Sequence, residues 1–228
     1  MKRAIKDSMN TKISNFLTWS ALAIVMGGAI VGSILVAREN GGSGVSGTAF
    51  LADVVLDQDW SFGKKDARVV LVEYSDFQCP ACAAYHPLVK KLTEELKNDL
   101  KFVYRHYPIP GHKNAVVAAK ASEAAGSQGK FWEMQDLLFL NQVEWAESSS
   151  AEKKFENYAI KLGLDLDQYK INFNSDKIAV KITDDYDSGN RSGVTYTPSF
   201  FLNGKLIKNP KSYDEFRALI AGAIAESK

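Results

Sequence analysis

Two cysteines, Cys79 and Cys82, are the whole cysteine supply of this 228-residue chain, and they stand together in Cys79-Pro80-Ala81-Cys82. The stretch from Ala83 to Asn98 repeats Leu88, Leu92 and Leu96 every four positions, which predicts a helix with Cys79 at its mouth and Pro80 in a first-turn position that needs no N–H. A sulfur at a helix start lies near unpaired backbone N–H groups and the positive end of the helix dipole, and both stabilise a thiolate. Only the thiolate attacks disulfides, and a second cysteine one turn further in can resolve or re-form an intramolecular disulfide. The pair therefore points to thiol–disulfide redox chemistry in which the disulfide itself is the redox centre, with no separate cofactor. Two other readings fit the same spacing: two inert buried thiols, or half of a metal site. His86, four residues after Cys82, could join such a site, but three ligands ending at Pro87 make an incomplete zinc site. His106 and His112 flank a Pro-Ile-Pro turn without ligand spacing. Two cysteines also exclude a disulfide-stapled scaffold and a four-cysteine zinc centre.

The elements around the pair predict a small α/β sheet. Val69-Val70-Leu71-Val72-Glu73-Tyr74 is β-rich and apolar on both faces except at Glu73, as in a central strand buried on both sides. A carboxylate there is costly unless it has a task. Leu100 to His106 alternates as a second strand, so strand, helix and strand form a βαβ unit. From Lys113 to Gly193 the pattern is helical, with helices expected at Lys113–Ala125, Lys130–Asn141, Ala151–Leu162 and Ser175–Asp187 and a shorter one near Leu166–Phe173. Trp132, Trp145, Phe131 and Phe139 in this stretch read as core aromatics rather than a ligand box. Strand character returns at Ser199 to Leu202, and Asn203-Gly204 before Lys205-Leu206-Ile207 is a strong hairpin signal. A last helix begins at Ser212, where Ser212 and Glu215 have capping-box spacing.

The segment before the domain has a different character. Phe16 to Ala37 is a run of 22 residues without a charge, about 33 Å long as a helix and close to the hydrocarbon thickness of a bilayer. A cleavable signal has a shorter apolar core and small residues at its end, whereas this run is longer and ends Leu35-Val36-Ala37, which favours a retained anchor over a signal peptide. Lys2, Arg3, Lys6 and Lys12 precede the span and only Arg38 follows it before Lys64, so the N-terminus is expected in the cytoplasm and the domain outside. The expected order is a cytoplasmic segment at 1–15, the anchor at 16–37, a linker at 38–52 whose Gly/Ser-rich stretch from Glu39 to Gly47 has a reach of roughly 16 Å, and the domain at 53–228 with its helical insertion at about 113–193. The 191 residues after the span carry 24 cations against 26 anions, which excludes a nucleic-acid binder built on a basic surface.

These motifs resemble the DsbA-like group of thioredoxin-fold disulfide oxidoreductases. Tyr74-Ser75-Asp76-Phe77-Gln78-Cys79-Pro80-Ala81-Cys82 is similar to the family's strand, aromatic and C-x-x-C run, and Pro87 to the proline inside its active-site helix. Arg105 to Ala115 and Gly129 to Met134 resemble the entry to the group's helical insertion, and Val194 to Gly204 its cis-proline loop and following hairpin. The resemblance covers roughly Trp60 to the C-terminus and implies an α/β, thioredoxin-like fold with an inserted helical domain, here preceded by one transmembrane helix.

It further implies catalytic roles for Cys79, Cys82 and Glu73, the last at the position of the family's buried acid, where it would exchange a proton with Cys82 through water. The other reading of Glu73 is a solvent-facing strand-edge carboxylate. Thr197-Pro198 would present a cis peptide beside the disulfide, and Thr197, Pro198, Pro80, Ala81 and Tyr196 would contact an extended substrate; a trans proline starting an edge strand is the alternative. The sequence departs from the family pattern in carrying Tyr196 where glycine is frequent, which implies an altered substrate groove. It also has Ala81 where the strongest oxidants carry histidine, which removes a contact to the thiolate. The implied activity is an extracytoplasmic oxidase of cysteine pairs, with exported thiol-bearing proteins as substrates and a quinone-linked membrane reoxidase as partner. The rivals are a tethered reductase or isomerase with the same fold, and a non-catalytic binding module or copper-delivering dithiol.

Overall fold

A computed structural model describes residues 49–227. The predicted anchor at 16–37 lies outside the described residues, and no helix among those described is long and apolar enough to cross a membrane.

Five strands form one sheet in the spatial order β1 (Trp60–Gly63), β3 (Leu100–His106), β2 (Val69–Ser75), β4 (Ser199–Leu202) and β5 (Lys205–Leu206). Strand β2 (Val69–Ser75) lies at the centre, parallel to β3 (Leu100–His106) and antiparallel to β4 (Ser199–Leu202). Both β2 and β3 are buried along nearly their whole length, which explains their continuous apolar runs. Between them runs α1 (Pro80–Glu95), the crossover helix of the expected βαβ unit, with Cys79 as its N-cap, Pro80 in its first turn and Pro87 inside it. Strand β5 (Lys205–Leu206) closes the predicted hairpin, and Asn203 and Gly204 take φ of 48° and 80°, the left-handed pair that a tight hairpin turn requires. The Asn203 side chain also accepts from Val70 N–H at 2.9 Å, tying the turn to the central strand.

Strand β1 (Trp60–Gly63) pairs antiparallel with β3 and has no counterpart in the sequence reading, because four residues are too few to display a period. It is held by side chains instead. Trp60 stacks on Phe131 with centroids 4.4 Å apart, and its indole N–H donates to Glu123 at 2.7 Å. Gly126 is needed here, since a Cβ at that position would come within 2.3 Å of the Trp60 ring.

The insertion between β3 and β4 contains α2 (Ala115–Gly126), α3 (Phe131–Leu140), α4 (Gln142–Trp145), α5 (Ala151–Lys161), α6 (Leu166–Phe173) and α7 (Asp176–Arg191). The five predicted helices appear within a few residues of their expected ends. The short α4 has no counterpart among the expected helices, since it falls in the gap left between Asn141 and Ala151, and it becomes important at the site. A final helix, α8 (Tyr213–Glu226), starts as the capping pattern predicts: Ser212 Oγ accepts from Glu215 N–H at 3.2 Å, while the Glu215 carboxylate reaches back to Lys211 N–H rather than to Ser212. The larger core lies between the sheet, α1 and the insertion, and a smaller one around Val72, Tyr74, Tyr107 and Phe201 covers the opposite sheet face.

The expected linker ends too late at residue 52. Ala49 and Leu51 already exchange backbone hydrogen bonds with the β4–β5 hairpin, through Leu206 N–H to Ala49 at 2.9 Å and Leu51 N–H to Gly204 at 2.7 Å. Just beyond, Arg105 donates to the Asp53 and Val54 carbonyls and pairs with Asp59 at 2.8 Å, anchoring the incoming chain on β3.

Candidate active site

Cys79 sits at the C-terminal edge of the sheet, where β2 hands over to α1. Its N-cap conformation (φ −72°, ψ 121°) leaves the first-turn N–H groups without a side-chain cap, so they are free to face its sulfur. Both cysteines are present as free thiols. Cys79 retains 7% exposure and Cys82, one turn into the helix, has none.

Across from Cys79 lies the loop before β4. The Thr197–Pro198 peptide bond is cis, and the Cys79 thiol donates to the Thr197 carbonyl at 3.5 Å. The Thr197 hydroxyl is buried and unpaired in this dithiol form, which leaves it free to donate to the Cys79 sulfur once that is a thiolate. Tyr196, next to Thr197, is 46% exposed, and Pro80 and Ala81, next to Cys79, are exposed as well. The loops thus bring Cys79 and Thr197 together, with Pro80, Ala81, Tyr196 and Pro198 as their chain neighbours.

The two thiols are driven in opposite directions. The Cys82 thiol, donating to the Cys79 sulfur, does most to favour a Cys79 thiolate. Burial works against it, and the Thr197 hydroxyl and the Cys82 and Ala81 N–H groups add to it, so that Cys79 is brought down to about 5. Cys82 is pushed well above the ordinary thiol range, first by burial, then by Cys79 and by the nearby Glu73 carboxylate.

Glu73 is not a solvent-facing edge residue. It lies on β2 between Tyr104 of β3 and Phe200 of β4, is 4% exposed, and is pushed up to about 7 by burial, with the Ser75 hydroxyl pulling weakly the other way. It lines a cavity of about 220 Å³ bounded by Phe102, Trp132 and Val89 and, towards the outside, by His86, Lys90 and Asp136. His86, weighed above as a third metal ligand, instead bonds Asp136 at 2.8 Å and stacks on Phe139. Among the described residues no group of three or more His, Cys, Asp or Glu side chains is arranged to hold a metal.

The handover loop is braced by groups that sequence reasoning did not single out. The buried Asp76 carboxylate accepts from Gln78 N–H at 2.7 Å and Ile109 N–H at 2.8 Å, and pairs with His112 Nδ1 at 2.7 Å. Gln78 accepts from Asn114 N–H at 2.7 Å and donates to Glu147 at 3.1 Å. Gln142, on α4, donates to both the Phe77 and Cys79 carbonyls. Apart from the Asp76–Gln78 turn, the partners lie tens of residues apart in sequence, so no spacing pattern could have revealed them.

Comparison with known proteins bears on the family and the fold. Residues 56–221 match the family described as Thioredoxin. In structure the chain is similar to oxidised BdbD from Bacillus subtilis, with a TM-score of 0.69 and 24% identity over 78% of this chain and 99% of that one. It is similar also to alpha-DsbA1 of Wolbachia pipientis, with a TM-score of 0.69 and 21% identity over 76% of this chain and 94% of that one. In sequence it is 38% identical over 173 residues to a protein named Na(+)/H(+) antiporter NhaA 1 from Salinispora arenicola, covering 75% of this chain but only 26% of that protein. The chain thus spans about a quarter of the length of the curated relatives it matches. With its matched sequence, its cis-proline loop and a helical insertion between β3 and β4, the chain belongs to the thioredoxin family and has the DsbA-like form of that fold.

Proposed function

We propose that this protein is a thiol–disulfide oxidoreductase that introduces disulfides into exported proteins, held on the outer side of a membrane by residues 16–37. The observation that carries the reading is the asymmetry of the cysteine pair: an acidic, reachable Cys79 against the Thr197 carbonyl, and a sealed Cys82 beside Glu73. The uncharged run at 16–37, with its cations on one flank, supports the location.

In the oxidising direction, a substrate thiolate attacks the Cys79 sulfur of the Cys79–Cys82 disulfide. The protein's S–S bond breaks, a substrate–Cys79 disulfide forms, and the leaving electron pair stays on the Cys82 sulfur. Cys82 then takes a proton, which Glu73 is suited to supply through water because its carboxyl titrates near neutrality. A second substrate thiolate attacks the substrate sulfur of the mixed disulfide and expels Cys79 as a thiolate, a good leaving group because it is acidic. The substrate dithiol has lost two electrons and the protein dithiol has gained them. Reoxidation, by resemblance through a quinone-linked membrane partner, must remove the Cys82 proton again.

The deciding experiment is the equilibrium of the purified domain with glutathione, together with its ability to oxidise a reduced, unfolded protein. A potential above roughly −200 mV with net oxidation is expected. A value near the roughly −270 mV of thioredoxin, with net reduction of insulin, would transfer the reading to a reductase.

A further inference from the structure

The loop that presents Cys79 is tied to the insertion at several points, but one side chain alone reaches the cysteine's own backbone from there. Gln142 opens α4, and its amide nitrogen donates to the Phe77 carbonyl at 2.7 Å and to the Cys79 carbonyl at 3.0 Å. It is 8% exposed, while the next residue, Val143, is 96% exposed. We infer that Gln142 is a positioning residue for thiol–disulfide exchange: one amide clamped across two carbonyls holds the N-cap turn so that the Ala81 and Cys82 N–H groups converge on the Cys79 sulfur.

The inference rests on the exchange reading above and on three features of the turn. Cys79 caps α1 without a side-chain hydrogen bond, so nothing within the helix fixes the angle at which the chain enters. Pro80 offers no N–H, which leaves the sulfur dependent on the aim of the next two donors. The carbonyl oxygens of Phe77 and Cys79 flank the turn that carries the sulfur, and an amide that donates to both offsets their partial negative charge. Ala83 N–H also reaches the Cys79 carbonyl, at 3.2 Å, so loss of Gln142 leaves the helix bonded and orphans the Phe77 carbonyl. An orphaned buried carbonyl must turn towards water or a new donor, and the loop turns with it.

The test uses the reduced protein, with the rate of Cys79 alkylation followed against pH and the glutathione equilibrium measured in parallel. Gln142→Met keeps the length of the side chain and removes the donor. Its titration midpoint is expected to rise by about one pH unit, and its equilibrium to move tenfold towards the oxidised form, which is about 30 mV for a two-electron couple. Val143→Ser, next door on the surface, is expected to match wild type. Gln142→Glu is nearly isosteric and places an ionisable acid between the same carbonyls, so its midpoint should rise further; it decides the matter if the Met variant does not fold. A Met or Glu variant that melts earlier but keeps its midpoint and equilibrium within twofold of wild type would make Gln142 a purely structural tie and overturn the inference. A wild-type protein that neither exchanges with glutathione nor titrates below the ordinary thiol range would overturn the exchange reading instead.

Discussion

One helical turn separates Cys79 from Cys82, and the surroundings of the two sulfurs differ in kind. Both are largely removed from water, and burial alone would raise both. Cys79 faces donors on every side: the Cys82 thiol, the Thr197 hydroxyl and two backbone N–H groups. Cys82 faces the sheet, where its charged neighbours are a carboxylate and the other sulfur. Burial therefore does not explain why the two sulfurs ionise so differently; the sign of the facing dipoles does. The same contrast gives the pair its direction of attack, because the group that is easily ionised is also the one that the Thr197 and Tyr196 loop leaves within reach of a substrate.

The largest test of this contrast removes one sulfur at a time. Cys79→Ser should abolish exchange, since a serine hydroxyl neither ionises near neutral pH nor attacks a disulfide. Cys82→Ser should keep the attack and lose the resolving step, so that mixed disulfides with substrates accumulate and can be seen on non-reducing gels. Accumulation in the Cys79→Ser protein instead would reverse the assignment. The contrast also sets a pH dependence. The folded dithiol protein holds Cys79 ionised down to about pH 5 while the unfolded chain protonates it below about 8.5, so the thiolate contributes stability fully above that upper value. The contribution declines as pH falls from about 8.5 to 5 and is gone below. Denaturant melts of the reduced and oxidised proteins across that range should show the reduced form losing its advantage as the pH drops.

Most of what makes this contrast was legible in the sequence where it depended on local chemistry. Cys79-Pro80-Ala81-Cys82 before a leucine-periodic run required a helix with sulfur at its start. Val194 to Gly204 required a proline loop feeding a hairpin, and Asn203 and Gly204 do form its turn. Glu73 stood out because a carboxylate in an apolar strand needs a reason, and it is indeed buried between Tyr104 and Phe200. The illegible parts share one physical cause. Strand β1 and helix α4 have four residues each, too short for periodicity, and are stabilised by tertiary contacts such as the Trp60–Phe131 stack and the Asn114 amide, which donates to three carbonyls from Trp145 to Ser148. The Gln142 and Asp76–His112 hydrogen bonds likewise join residues far apart in the chain, which meet only in the folded protein.

Glu73 is the next point at which to sharpen the comparison. Its carboxyl is raised from 4.5 to about 7 by burial, so the fold disfavours its ionised form. The sign is that of a raised acid: stability is greatest below the unfolded value near 4.3 and falls as pH rises through about 7, beyond which the whole cost of the buried charge is present. Glu73→Gln removes that cost, and should stabilise the protein at pH 8 by up to about 3 kcal/mol while leaving it little changed at pH 4. The same variant should turn over more slowly and lose a pH-rate inflection near 7, because an amide can neither give nor take the Cys82 proton. A variant with higher stability and an unaltered pH-rate profile would mean that the carboxylate has no part in the exchange.

The smallest expected effect comes from adding one donor to the side that already has them. Ala81 lies between the cysteines with its side chain exposed, so Ala81→His disturbs no packing and brings an imidazole near the Cys79 sulfur. A protonated or donating ring favours the thiolate, the thiolate favours the dithiol form, and a more stable dithiol form makes a stronger oxidant. The Cys79 midpoint should fall by less than a unit, and the glutathione equilibrium should move up to about tenfold towards reduction, or about 30 mV. The gain should fade above about pH 7 as the imidazole loses its charge, since histidine titrates near 6.5. An equilibrium shift of that sign, with the predicted decay at higher pH, would show that Cys79 still has room for another donor. No shift at all would mean that the Cys82 thiol, the Thr197 hydroxyl and the two N–H groups already saturate the sulfur, and that the acidity of Cys79 is fixed by those donors rather than by the side chain between the cysteines.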